Sequence, residues 1–198
     1  MIEVYKFEEK NEEECRLKCL DTLDVYNNEI ITHEINETDK YIIECVKKSD
    51  IEDFIKTFIK NITTKMGLET KIEIEEDENI FKVNMFSNNN QILIGKEGRT
   101  LEAIQNILRQ IISRKTGFNI RITLDASNYR IKKEHYFEKN IKSIINDVMK
   151  TKDEIKLDPM NSYKRRIVHS IASEYYNIET ESFGEEPNRY VVIRYLEK

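Results

Sequence analysis

Gln91-Ile92-Leu93-Ile94-Gly95-Lys96-Glu97-Gly98-Arg99-Thr100-Leu101 is the stretch from which the fold can be read. A short apolar run meets two glycines three positions apart, with Lys96 between them and Arg99 directly after. Beyond it, Leu101, Ile104, Leu108 and Ile111 recur at steps of three and four, so a glycine turn opens into an amphipathic helix. Glycine lets a ligand approach the backbone, a helix start is the positive end of its dipole, and two cations flank the turn. Together these suit a phosphate.

The tetrapeptide alone would fit an ordinary helix start behind a tight turn equally well. The order of elements around it and the local charge favour the backbone of a single-stranded nucleic acid. The candidate contacts are Ile94, Gly95, Lys96, Glu97, Gly98 and Arg99. Backbone N–H groups would meet phosphate oxygens, Lys96 and Arg99 would add charge, and Ile92 to Ile94 would give bases an apolar floor. A carboxylate beside a phosphate repels, so Glu97 is read as a residue favoured at a helix start.

Upstream of the turn, Ser49-Asp50 reads as a cap for a helix with Ile51, Phe54, Ile55, Phe58, Ile59 and Ile62 on one face, ending near Gly67. Strands follow at Lys71–Glu75 and Ile80–Phe86, turning at Asp77-Glu78-Asn79. Downstream, Thr116-Gly117 ends the second helix, and Phe118, Ile120, Ile122 and Leu124 alternate as a third strand. The order is therefore helix, two strands, a short helix, the glycine turn, a long helix and a strand.

Residues 1–48 read as an edge strand starting at Ile2, Val4 and Tyr5, a helix marked by Cys15, Leu17, Cys19, Leu20 and Leu23, and a strand pair turning around Asn36 to Lys40. Cys15 and Cys19 have helical ligand spacing but no further ligand nearby, so they are read as small buried hydrophobes and no metal is expected. Residues 127–152 form a long basic helix with a ragged apolar side at Tyr129, His135, Phe137, Ile141, Ile144, Ile145 and Val148, expected to be a bridge packed against its neighbours. Leu157-Asp158-Pro159 marks a boundary, since Pro starts a helix well. A helix from Met160 to about Tyr176 and strands at Ile178–Phe183 and Arg189–Tyr195 complete the chain.

The formal net charge of −5 over 198 residues is unevenly spread. Residues 1–90 hold 12 Lys/Arg against 22 Asp/Glu, net −10; residues 91–152 hold 13 against 6, net +7; residues 153–198 hold 7 against 9, net −2. A polyanion responds to the local field, because binding is driven by counterions released at the contact. The basic segment begins at the glycine turn. No apolar run approaches the roughly 18 residues that cross a bilayer, so an integral membrane protein is not expected. Met1-Ile2-Glu3-Val4 has neither a basic start nor an apolar signal core, and three sparse cysteines fit a reducing compartment, so a cytoplasmic location is expected.

A second constellation is Arg165-Arg166-Ile167-Val168-His169. Arg165 and His169 lie one helical turn apart, so they are expected to form an exposed pair that holds phosphate oxygens. Met160, Tyr163, Ile167 and Ile171 are assigned to the core side. A solvated helix face with a structural histidine has the same spacing. Catalysis is not expected. Three histidines stand in three different segments, and no nucleophile elbow, phosphate-binding Walker loop or zinc-protease helix occurs. No cofactor is implied either.

Ile92-Leu93-Ile94-Gly95-Lys96-Glu97-Gly98-Arg99-Thr100-Leu101-Glu102-Ala103-Ile104-Gln105 resembles the KH signature of the Jag (KhpB) family of bacterial RNA-binding proteins. Asp125 followed by Tyr129-Arg130 resembles that family's link to its next module. Leu157-Asp158-Pro159-Met160-Asn161 with Arg165-Arg166-Ile167-Val168-His169, then Glu179-Thr180-Glu181-Ser182-Phe183-Gly184-Glu185-Glu186-Pro187, resembles its C-terminal Arg-x-x-x-His domain. The resemblance implies an α+β protein of three small modules: a Jag-N-like domain at 1–48, a type II KH domain at 49–126 and an Arg-x-x-x-His single-stranded nucleic-acid-binding domain at 153–198. A linking helix would span 127–152.

That resemblance also implies a site at Arg165, Arg166 and His169 and single-stranded RNA as ligand, with single-stranded DNA left open. Further implications are a role as post-transcriptional regulator or RNA chaperone, a small KH-only protein partner, and a tie to cell-envelope growth, cell shape, division or sporulation. The family's glycine motif in the final hairpin of Jag-N is missing here, where Glu37-Thr38-Asp39-Lys40-Tyr41 stands. A rival reading is a protein-interaction adaptor that docks a partner through the acidic first 90 residues.

Overall fold

A computed structural model describes residues 2–37 and 40–197. The chain divides into two compact units, Met1–Tyr129 and Arg130–Lys198.

The first unit opens with β1 (Tyr5–Glu9), α1 (Glu12–Leu23), β2 (Ile30–Asn36) and β3 (Tyr41–Lys47), in an antiparallel sheet of order β1-β3-β2. Of the expected hairpin turn, Thr38 and Asp39 lie outside the described residues. Asn11 caps α1 by accepting from the Glu14 N–H at 2.9 Å, and Asp24 ends it in a left-handed conformation. Cys15, Cys19 and Leu23, one turn apart, bury against Phe7, Ile30, Ile43 and Cys45. The cysteines are free and buried; Cys15 Sγ donates to the Phe7 carbonyl at 3.3 Å, and burial pushes the Cys45 thiol up to about 12. Strand β1 starts later than the sequence suggests, because Ile2 leaves the sheet to plug the neighbouring core.

That larger core belongs to α2 (Lys48–Lys65), β4 (Thr70–Asp77), β5 (Ile80–Ser87), α3 (Asn90–Ile94), α4 (Arg99–Thr116) and β6 (Arg121–Ala126). Strand β3 passes into α2 without a loop. Ser49-Asp50 is therefore not a cap: Lys47 holds the N-cap position and no side chain caps the helix. Ile51, Ile55 and Ile59 bury one face of α2, as their spacing requires. Glu78 and Asn79 have φ of 48° and 64°, the left-handed pair that a two-residue hairpin turn demands. The sheet order is β4-β5-β6, with β4 antiparallel and β6 parallel to β5. A parallel neighbour needs a crossover, and α3, the glycine turn and α4 provide it. The turn is thus held between two helices that the sheet fixes in place.

In the second unit, α5 (Tyr129–Thr151, its first residue in the preceding unit), β7 (Ile155–Lys156), α6 (Ser162–Ala172), β8 (Ile178–Phe183) and β9 (Tyr190–Tyr195) build a separate core. The sheet order is β7-β9-β8, all antiparallel. Ile141, Ile145 and Val148 of α5 are buried there at i, i+4 and i+7. The rear half of this helix packs through the apolar side that its sequence marks, with Phe137 and Ile144 against the same core. Two-residue β7 is too short to leave a periodic signal. Helix α6 starts later than expected because Asn161 caps it, accepting from the Lys164 N–H at 3.0 Å, and it ends at Ala172, four residues short of Tyr176. The fold class is α+β, with helices set against small, mostly antiparallel sheets.

Candidate nucleic-acid interface

The glycine turn is shaped by three left-handed residues. Gly95 has φ 71° and ψ −178°, Glu97 φ 56° and Gly98 φ 90°. Asn89 caps α3 from outside, Leu93 is fully buried, and the Gly95 N–H closes the helix on the Gln91 carbonyl at 2.8 Å. The Gly98 N–H then returns to the Gly95 carbonyl at 3.2 Å, and α4 begins at Arg99 with no side chain capping it.

A Cβ on Gly95 would fall 2.1 Å from Thr100 Oγ1, and one on Gly98 would fall 2.8 Å from Tyr129 Cε1. The glycines are therefore required by the turn's own packing as well as by any strand that approaches it. Thr100 and Tyr129, which press on them, carry no signal of that role in the sequence.

Lys96, Glu97 and Arg99 are exposed, and Ile92 is 48% exposed. Of the expected apolar floor, Leu93 faces the core instead, leaving Ile92 outside and Ile94 partly buried. The turn is open to solvent. An uncapped helix start, left-handed backbone and two exposed cations together suit an anion.

The free edge of β6 is closed. Leu124 N–H donates to Gln105 Oε1, and Arg109 Nε donates to the Ile122 carbonyl, both at 2.8 Å. These α4 side chains satisfy an edge that would otherwise offer itself to another strand.

The second constellation differs from its sequence reading. Arg165 and His169 do not form an exposed pair. Arg165 is 9% exposed, and its guanidinium donates to Glu186 Oε1 at 2.8 Å and to the Met160 carbonyl at 3.2 Å. His169 is half-buried between two hydroxyls of β8, with Nδ1 2.7 Å from Thr180 Oγ1 and Nε2 2.9 Å from Ser182 Oγ. The exposed cation of the motif is Arg166. The core face of α6 is Arg165, Val168, Ile171 and Ala172, while Tyr163 turns outward and donates to Glu134. Thr180 and Ser182 sit at i and i+2, so both point from one face of β8 to the same ring. That alternation was legible; its target was not.

Burial, then the nearby Arg165 charge, hold the His169 imidazole below its ordinary value of 6.5. The fold resists a proton that the unfolded chain accepts. Stability is thus expected to be unaffected by His169 above 6.5 and to fall as pH drops from 6.5 through the lower folded value. Urea unfolding at stepped pH checks this against His169→Gln, which should lack that component. A His169 resonance titrating at or above 6.5 would contradict it.

Two family models match the chain: "KhpA/KhpB, KH domain" over residues 52–124 and the domain named for its Arg-x-x-x-His motif over residues 138–195. The parallel β5–β6 pair around a glycine turn, followed by an Arg-x-x-x-His helix on a small sheet, defines a protein that joins a KH domain to an Arg-x-x-x-His domain. Over 154 residues the chain is 34% identical to an RNA-binding protein KhpB of Clostridium symbiosum, covering 77% of this chain and 69% of that one. Over the same length it is 31% identical to an RNA-binding protein KhpB of Bacillus subtilis (strain 168), covering 77% and 74%. The chain belongs to the KhpB family. No described helix is long and apolar enough to cross a membrane.

Proposed function

We propose that this protein is a non-enzymatic binder of single-stranded RNA with two sites on one chain. Residues 49–126 would carry the first and residues 153–198 the second, with 127–152 between them and 1–48 in neither. The observation that carries the reading is the open glycine turn, where Lys96 and Arg99 flank an uncapped helix start. Ile94, Gly95, Gly98 and Arg99 would seat phosphates and the first base. In the second site Arg166 is the contact cation. Arg165 acts through Glu186 and Met160 to hold the helix, and His169 presents β8 hydroxyls at the rim.

Two modest sites on one strand act through effective concentration, so each alone binds feebly. We further propose a role as RNA chaperone or post-transcriptional regulator in the cytoplasm, serving envelope growth, cell shape, division or sporulation; kinship with RNA-binding relatives supports the RNA part of that reading. A small KH-only protein is the proposed partner. The acidic first 90 residues, net −10, favour contact with protein over RNA, and an adaptor role there is compatible with the rest.

Titration of labelled single-stranded RNA, with single-stranded DNA as a parallel arm, tests the reading. Arg166→Ala is expected to weaken RNA binding about threefold at ~0.1 M salt and to reduce the salt slope by about 0.7. Its stability should stay within about 0.5 kcal/mol of wild type, since the side chain is exposed. An unchanged affinity and slope would remove Arg166 from the site.

A further inference from the structure

The second half of α4 carries a feature that the glycine turn does not account for. Arg109, Arg114 and Arg121 line an open cleft of about 760 Å³ with Gln110, Ser113 and Asn119, and among the described residues no carboxylate lines it. None of the three arginines forms an ion pair among the described residues. Arg109 is fixed, its Nε held by the Ile122 carbonyl at 2.8 Å, while Arg114 and Arg121 are exposed. Elsewhere this chain pairs its cations freely: Arg16 with Glu12 and Glu34, Lys48 with Glu76, and Arg194 with Glu154 and Glu181. Three unneutralised guanidiniums around one concavity repel each other, and an anion would relieve that.

A path leads there from the turn. Arg99, Ala103, Asn106, Gln110 and Ser113 stand at i, i+4, i+7, i+11 and i+14 of α4, a single helical stripe, with Arg114 beside its end. All six are exposed and none is acidic, and exposed Glu102 flanks the stripe only in the first turn of α4. Ile107, 49% exposed, flanks the stripe and offers an apolar contact. From Arg99 to Arg114 the helix rises about 22 Å, at about 1.5 Å per residue.

We infer that the arginine cleft is a second phosphate seat for the same RNA strand, reached along this stripe. It would extend the footprint beyond the roughly four nucleotides that a KH glycine loop clamps. Planar guanidiniums suit it, because each can take two phosphate oxygens at once. The inference rests on the proposed RNA reading and adds where the strand goes after the glycine turn.

The test uses the full chain and two oligouridines, of about four and about eight nucleotides, the shorter matching the KH clamp. Arg114→Glu with Arg121→Glu leaves Arg109 and its hydrogen bond in place. Wild type should gain about tenfold in affinity with the longer oligonucleotide, and the double variant should lose that gain yet bind the shorter one as wild type does. Its salt slope on the longer strand should fall by about 1.4, at about 0.7 per lost phosphate contact. Lys10→Ala, an exposed cation outside both proposed sites, should keep the gain. A single 4-thiouridine moved along the strand should crosslink to residues 109–121 only from positions beyond the clamp.

A double variant that keeps the length gain overturns the inference, as does a gain lost equally in Lys10→Ala. Inorganic phosphate titrated alone separates a strand from a free anion: saturable binding that leaves the length gain intact would make the cleft a free-anion site and overturn the inference. Should the short oligonucleotide bind neither wild type nor variants, the RNA reading at the glycine turn fails first and this inference falls with it.

Discussion

Lys96→Asp combined with Glu97→Asp is expected to weaken single-stranded RNA binding at least tenfold at ~0.1 M salt while leaving the fold intact. The double change replaces one cation with an anion and keeps the second anion, so a phosphate meets two negative charges in place of a mixed pair. Like charges about 4 Å apart cost about 1 kcal/mol in bulk water and about 4 kcal/mol near a protein surface, so a loss of tenfold or more is within reach. Tenfold corresponds to about 1.4 kcal/mol.

Stability should not follow affinity. Both positions are exposed, and Asp tolerates the left-handed backbone at Glu97 at least as well as Glu does. Fluorescence anisotropy gives the affinity, and circular dichroism melting controls for folding. Wild-type binding by a folded variant would remove the glycine turn as the primary site.

Gly95→Ala is expected to do the opposite, damaging the fold before any ligand is considered. The pairing of φ 71° with ψ −178° is open essentially to glycine alone. A new Cβ would also lie 2.1 Å from Thr100 Oγ1, 2.8 Å from Thr100 Cβ and 3.0 Å from the Thr100 nitrogen. Strain of this kind costs ~1–3 kcal/mol and overpacking a further ~1–3 kcal/mol. A loss of about 3 kcal/mol or more in the Met1–Tyr129 unit should result, read by urea unfolding.

Thr100→Ala in the same chain removes the hydroxyl but neither the Cβ nor the backbone nitrogen, so it should restore only part of the loss. Full restoration would mean that the dihedral pair costs little. Gly117 at the far end of α4, with φ 76° but nothing within 4 Å of an added Cβ, should show a smaller loss on the same substitution.

These two expectations separate what the loop binds from how it is built, and the sequence is informative about only one of them. Two glycines three apart before an amphipathic run show that a turn meets a helix there. They do not show that Thr100 and Tyr129 close over the glycines, since the first contact depends on the dihedrals the turn adopts and the second on where the chain returns after β6. The Arg165/His169 motif is the sharper case. Spacing puts the pair on one face of a helix, and that much holds. Whether the face is wet or dry depends on which side of α6 the β8–β9 sheet covers, and the sheet lies on the Arg165 side, supplying Thr180 and Ser182 to His169. Arg166, one residue along and about 100° around the helix, is left in water.

Local periodicity determined most of the elements, because helix and strand faces repeat at about 3.6 and 2 residues whatever lies opposite. The glycine turn, the basic segment from residue 91 and the α+β class were likewise set by residues close together in the chain. Tertiary structure alone decided the two-unit division, the burial of Arg165, and the gathering of Arg109, Arg114 and Arg121 around one cleft. The reason is physical: burial and charge pairing depend on the partner surface, and that surface comes from segments distant in sequence.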